Sequence, residues 1–224
     1  MPSQIPFPFD PPTVFTRENF IVSDTNAEAA AFVDSWPVWT VATAALHGPA
    51  GSGKTHLLEI WKAHSGAQLV SAASLSGSAF AQLDRARPVA IEDVDVSMPN
   101  PARDAALFHL MESATLAAPI LFTGRAAPLH WCVTLPDLAS RFAALVAFPL
   151  GAADDALLAG LAAKLFSDRQ LTVPQATVSQ MLKSLERSPA ALRAFVRQLD
   201  EKALAEKRPI STALVRELLD PQGN

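Results

Sequence analysis

The chain has 224 residues, half of them hydrophobic and 18% charged, enough for one full domain and a small second one. A formal net charge of −4 argues against a large basic surface for nucleic acid, and the single cysteine, Cys132, excludes an internal disulfide framework. No apolar stretch reaches the ~20 residues that span a bilayer, and the N-terminus, broken by Pro6 and Pro8 with no basic residue before Gln4, is not a secretory signal, so a cytoplasmic protein is expected.

Residues 1–15 are proline-rich and read as an extended leader. Ser23 to Asn26 then offer helix-start residues ahead of an amphipathic stretch with Phe32, Val33 and Trp36, which Pro37 stops. Short apolar runs follow at Thr40–Leu46, Gln68–Ala72, Val89–Glu92, Ile120–Thr123 and Leu145–Phe148. Helical patterns separate them at Lys54–Ala63, weakly at Ala79–Asp84, and at Arg103–Leu116. Strands alternating with helices predict an α/β domain over 16–150, a parallel sheet covered on both faces. After Pro149 strand signals disappear, and three or four amphipathic helices predict a small helical domain over 151–224. One carries Leu157, Leu158, Leu161 and Leu165, and another Val178, Met181, Leu182 and Leu185. A third opens with Ser188 as cap and Pro189 at the first helical position, and a last one holds Leu214, Val215 and Leu218.

The run Gly48-Pro49-Ala50-Gly51-Ser52-Gly53-Lys54-Thr55 fits G-x-x-x-x-G-K-[ST], between an apolar run and a helical pattern. Glycines let successive backbone N–H groups curl around a di- or triphosphate, and the following helix turns its unpaired N–H groups toward the same anion. Lys54 is the expected partner of the β- and γ-phosphate oxygens, and the Thr55 hydroxyl of Mg²⁺. Val89-Ala90-Ile91-Glu92-Asp93 is an apolar strand ending in two carboxylates, of which Glu92 is assigned to the metal and Asp93 to the attacking water. A Glu is long for the first task and an Asp short for the second, which predicts tight nucleotide binding with slow intrinsic hydrolysis. The five histidines form no metal-ligand spacing, so no metal beyond Mg²⁺ with ATP or ADP is expected.

A phosphate loop, an acid-ended strand and a C-terminal helical region together resemble AAA+ proteins, which implies a five-stranded parallel sheet followed by a helical lid. The segment Leu135-Pro136-Asp137-Leu138-Ala139-Ser140-Arg141-Phe142 is similar to the one before the fifth strand in the bacterial initiator DnaA and in its short relatives, the Hda family. That resemblance implies that Arg141 is an arginine finger acting in trans on a neighbour's nucleotide. Gln4-Ile5-Pro6-Phe7-Pro8-Phe9 resembles the leader by which Hda proteins dock on the DNA polymerase III sliding clamp (its β subunit), with Gln4 hydrogen bonding and Ile5, Phe7 and Phe9 filling apolar pockets. Phe20 and Asn26 fall where the family builds part of its adenine pocket, and Thr123 is the sensor-1 candidate. The acidic residue expected just beyond is replaced by Gly124 and Arg125. Ala191 stands where a sensor-2 arginine is expected, flanked by Arg187 and Arg193, and Arg193 is the candidate substitute. The resemblance implies an ADP-bound negative regulator of replication initiation that promotes hydrolysis of DnaA-bound ATP, with DnaA and the clamp as partners and a homo-oligomer left open. The sequence ends at Asn224 without a helix-turn-helix, so direct sequence-specific DNA binding is not expected. A helicase-loader-type AAA+ adaptor and a self-contained P-loop ATPase or kinase are the alternatives.

Overall fold

The computed structural model describes residues 15–219, apart from 97, 99 and 170–172. They divide into two compact units, Phe15–Ala152 and a second from Ala153 onward.

The first unit holds five strands, β1 (Thr43–His47), β2 (Gln68–Ser71), β3 (Val89–Glu92), β4 (Ile120–Gly124) and β5 (Val146–Pro149). They form one parallel sheet in the order β2-β3-β4-β1-β5, with Thr43 opposite Ile120 and His47 opposite Gly124. β1, β3 and β4 are apolar on both faces, as strands covered on both sides must be. Five helices cover them: α1 (Ala27–Asp34), α2 (Lys54–Ser65), α3 (Gly77–Ala81), α4 (Pro101–Ser113) and α5 (Pro136–Ala143). Residues of α1 and α2 pack with Ala44, Leu46, Ala90 and Leu121 on one face. Residues of α4 and α5 pack with Ala45, Ile91, Ile120 and Phe122 on the other. The chain crosses from one face to the other around β1, and the carboxyl ends of β1, β3 and β4 lie side by side there, the usual place for a ligand in an open α/β sheet.

The second unit holds α6 (Asp155–Asp168), α7 (Gln175–Ser184), α8 (Pro189–Glu206) and α9 (Thr212–Leu219). α6 packs on α7 and α8, and α9 on the same two. Asp154 caps α6 by accepting the Leu157 N–H at 2.7 Å, and Ser188 caps α8 by accepting the Ala191 N–H at 3.1 Å.

Several element boundaries, and one helix cap, differ from the sequence expectation. α4 begins at Pro101 rather than Arg103, because Asn100 accepts the Arg103 N–H at 2.7 Å and proline occupies the first turn. α1 stops at Asp34 and leaves Trp36 outside the helix. Asn26 holds the N-cap position of α1, yet its side chain turns back to the preceding loop instead of capping.

Candidate functional site

Residues 48–53 form a loop from the end of β1 to the start of α2. Gly48 donates its N–H to the Gly124 carbonyl at 3.2 Å, while Leu150 donates to the His47 carbonyl at 2.7 Å. A Cβ on Gly48 would lie 2.0 Å from the Leu150 carbonyl oxygen, so no larger residue fits. Gly53, with φ 104, holds the N-cap of α2 and offers no side-chain acceptor, which leaves first-turn N–H groups open to an anion. The buried Ser52 hydroxyl has no hydrogen-bond partner among the described residues. Lys54 is 8% exposed and its ammonium donates to the Gly48 and Pro49 carbonyls at 2.8 and 2.9 Å. Burial pushes its pKa down; Asp93 opposes that shift, Arg125 adds to it and Asp95 opposes it again. His47 is pushed down as well, first by burial and then by the charge of Lys54.

An orphaned hydroxyl, an uncapped helix start and a poorly solvated cation fit a phosphate group. The exposed Thr55 hydroxyl and the Glu92 carboxylate supply the oxygen ligands that Mg²⁺ takes, so these two residues would hold the metal beside a nucleotide. Ala50 and Gly51 form the exposed outer turn of the loop.

At the neighbouring strand ends, Ala90 and Leu121 face α2, and strand alternation puts Glu92 and Thr123 on that same face. Asp93 turns out of the strand with φ 56, so the two acids do not simply alternate. Its N–H donates to the buried Thr123 hydroxyl at 3.2 Å, and the Thr123 carbonyl accepts the Val94 N–H at 2.9 Å. Thr123 thus locks the turn after β3 to β4 while its own hydroxyl hydrogen stays available. Asp95 was no sequence candidate, yet its carboxylate accepts the Arg125 N–H at 2.9 Å and the Ala126 N–H at 2.7 Å. Its partners stand thirty residues away, beyond any local pattern.

The Phe20 ring adjoins the loop, since a Cβ on Gly53 would meet it at 3.0 Å, and it packs edge-on against His56 with centroids 5.2 Å apart. The buried Asn26 amide donates to the Ile21 carbonyl at 3.1 Å and its oxygen accepts the Ser23 N–H at 3.0 Å. Asn26 therefore shapes the loop of residues 21–26, while Phe20 is the one of the two that borders the phosphate loop.

Arg141 lies on α5, in the layer on the opposite face from α2. It is 39% exposed, with its guanidinium 3.3 Å from a Glu112 oxygen and 4.4 Å above the Phe108 ring. Sequence reasoning missed the buried pair Arg103 and Asp104 on α4. The Arg103 guanidinium donates to Asp104 at 2.7 and 2.9 Å and to the Cys132 carbonyl at 3.2 Å. The other Asp104 oxygen accepts from the Thr134 N–H and hydroxyl. Its signal was present: Arg103 and Asp104 fall on the helical spacing of Leu107, Leu110 and Met111, so two charges lie on the apolar face. Arg193 stands half-buried on α8 in the second unit, its pKa lowered by burial, and Arg187 pairs with Asp155 at 2.6 Å. Gln4, Ile5, Phe7 and Phe9 lie outside the described residues.

Among the described residues no helix is long and apolar enough to cross a membrane. The chain matches no protein-family model and no curated protein in sequence. Its fold does have solved likenesses. Domain III of the Thermotoga maritima replication initiation protein DnaA superposes with a TM-score of 0.73 at 17% identity, covering 92% of this chain and 96% of that one. The AMPPCP-bound DnaA of Aquifex aeolicus gives 0.73 at 16% identity, over 85% of this chain and 66% of that one. The Thermotoga maritima RuvB Holliday junction branch migration motor gives 0.70 at 15% identity, over 93% and 72%. The five-stranded parallel sheet with its helices thus has the fold of the DnaA and RuvB domains on which it superposes.

Proposed function

We propose that this chain is a nucleotide-holding AAA+ regulator of the Hda type, a negative regulator of replication initiation. It keeps ADP in its own phosphate loop and is moored to the DNA polymerase sliding clamp by Gln4, Ile5, Phe7 and Phe9. Arg141 then enters the nucleotide site of DnaA and promotes hydrolysis of the ATP bound there.

The observation that carries this reading is the position of Arg141: half-exposed on the helix before the last strand, over the sheet face away from α2. The guanidinium there lies against Glu112 and Phe108 of α4, on the sheet face away from the helix that follows the phosphate loop. Within the isolated chain a surface ion pair with Glu112 and the Phe108 ring hold it, each worth about 1 kcal/mol or less at an exposed site. An arginine finger supplied in trans contributes roughly 10³- to 10⁵-fold in rate, about 4–7 kcal/mol of barrier, so leaving Glu112 is a minor loss. Mooring to the clamp brings a weakly binding partner to an effective concentration on the order of millimolar. The chain's own nucleotide turns over slowly, because Glu92 and Asp93 are each a methylene away from the usual carboxylate lengths.

The test is hydrolysis of DnaA-bound ATP with clamp-loaded DNA, with and without this protein. The wild type should accelerate hydrolysis; Arg141→Ala should bind nucleotide and clamp normally and accelerate nothing. An unchanged lifetime of DnaA-bound ATP with the wild type overturns the reading. Co-purification with the replicative helicase instead of the clamp selects the loader-type adaptor, and phosphate transfer to a small molecule without any protein partner selects the self-contained enzyme.

A further inference from the structure

One cation at the phosphate-binding edge has no role in that reading. Arg125 follows β4, and the residue before it, Gly124, pairs in register with His47 and accepts the Gly48 N–H at 3.2 Å. Arg125 is therefore one residue from a direct hydrogen bond to the start of the phosphate loop.

Its backbone is held from several directions. The Arg125 N–H donates to both Asp95 oxygens at 2.9 Å, and the Ala126 N–H donates to the same carboxylate at 2.7 Å. The Ala126 carbonyl accepts the Trp131 indole N–H at 2.8 Å. On the other side Thr123 is tied to Asp93. The side chain that this frame presents is exposed, and among the described residues no carboxylate pairs with its guanidinium. Its charge is felt at Lys54, together with those of Asp93 and Asp95. Asp93 and Asp95 favour the charged ammonium and Arg125 opposes it, so Arg125 adds a second positive charge to the edge of the site where an anion would be held.

We propose that Arg125 is a phosphate-recognition residue that reads the terminal phosphate of a nucleoside triphosphate held in this chain's own phosphate loop. The guanidinium fork matches two phosphate oxygens at once and keeps its charge at every accessible pH. A triphosphate carries one more anionic group than a diphosphate, and Arg125 distinguishes the two from the β4 side of the site. This inference rests on the reading that the phosphate loop holds nucleotide, and is independent of what Arg141 does in trans.

Equilibrium titration of the full chain with Mg²⁺–ATPγS and with Mg²⁺–ADP tests it, using wild type, Arg125→Ala, Arg125→Lys and Lys54→Ala. Arg125→Ala should weaken ATPγS by about tenfold or more and change ADP by less than about twofold. Arg125→Lys, which keeps the charge and loses the fork, should fall between. Lys54→Ala should weaken both nucleotides. Equal losses for the two nucleotides in Arg125→Ala, or no loss in either, overturn the inference while leaving nucleotide binding intact. A wild type that binds neither nucleotide overturns the phosphate-loop reading itself. Unfolding midpoints without nucleotide separate either result from misfolding, and if Arg125→Ala lowers its midpoint, the ATPγS-to-ADP ratio of Arg125→Lys decides alone.

Discussion

The two faces of the sheet are held by different means. On the α1 and α2 face the contacts are apolar and aromatic: Trp39 stacks on Trp61 at 5.0 Å, and Phe32 lies between Trp39 and Phe148 at 4.3 and 4.2 Å. The α4 and α5 face is also apolar, but the Arg103–Asp104 pair is buried in it with 1% and 0% of its side chains exposed. That pair joins α4 to the segment of Cys132 and Thr134, which leads into the helix that carries Arg141. Apolar area stabilises without direction, whereas a buried, hydrogen-bonded ion pair has a preferred geometry. The phosphate loop therefore rests on the adaptable face and the candidate finger on the directional one.

Breaking the pair is the most severe test of this contrast. Asp104→Ala leaves the Arg103 guanidinium buried without its carboxylate and should cost about 3–5 kcal/mol in urea unfolding. Arg103→Met together with Asp104→Leu removes both charges and should recover most of that loss, because desolvation offsets much of the attraction within the pair. A cost below about 1 kcal/mol for Asp104→Ala would mean that α5 is held by its apolar residues Leu138 and Phe142 alone.

On the other face the sensitive element is a cation that burial disfavours. Lys54→Met removes a charge whose partners in the chain are two carbonyls, and should lower nucleotide affinity by about 2–5 kcal/mol, read by calorimetry. The same variant should leave the nucleotide-free chain as stable as the wild type or more so, because the desolvation of the ammonium is relieved. Loss of affinity accompanied by a lowered unfolding midpoint would instead assign Lys54 a structural task.

Where the chemistry is local, the sequence was a sufficient guide. The glycine spacing of residues 48–53 dictates a loop whose positive-φ turns fall on Gly48, Gly51 and Gly53, and the runs around Ala44, Ala90 and Leu121 are strands because they are apolar without alternation. The helices of the second region were readable from apolar residues at helical spacing, whereas the order of the strands in the sheet was not read from the sequence. Side chains whose partners are distant were not. Asp95 reaches across thirty residues to the backbone of Arg125, and Asp104 across thirty to Thr134. Asn26 looked like a helix cap or an adenine contact, yet backbone groups three and five residues before it take up its amide. Side-chain hydrogen bonds of that range are decided by the fold, and no window along the chain contains both partners.

A smaller effect sharpens the description of the aromatic face. Trp61 is fully buried, yet among the described residues its indole N–H has no hydrogen-bond partner. Trp61→Phe removes that unsatisfied donor while keeping a ring against Trp39, so it should cost less than about 1.5 kcal/mol, against roughly 3–5 kcal/mol for Trp61→Ala. Equal costs for the two would show that shape, rather than apolar area, governs this face as well.

The smallest expected effect lies at His47, where β1 runs into the phosphate loop. Burial and the Lys54 charge hold its pKa below the ordinary 6.5. Above that value both folded and unfolded chains carry a neutral imidazole and nothing is lost. As pH falls through it the unfolded chain takes up the proton first, so stability declines until pH passes below the folded value. His47→Gln should flatten this part of the stability profile between about pH 7 and pH 5. A bound phosphate would counter the Lys54 charge and raise the pKa of His47, so nucleotide should flatten the wild-type profile too and leave that of His47→Gln unchanged. If nucleotide flattens both profiles alike, the pH response arises elsewhere, and His47 does not sense the contents of the loop it precedes.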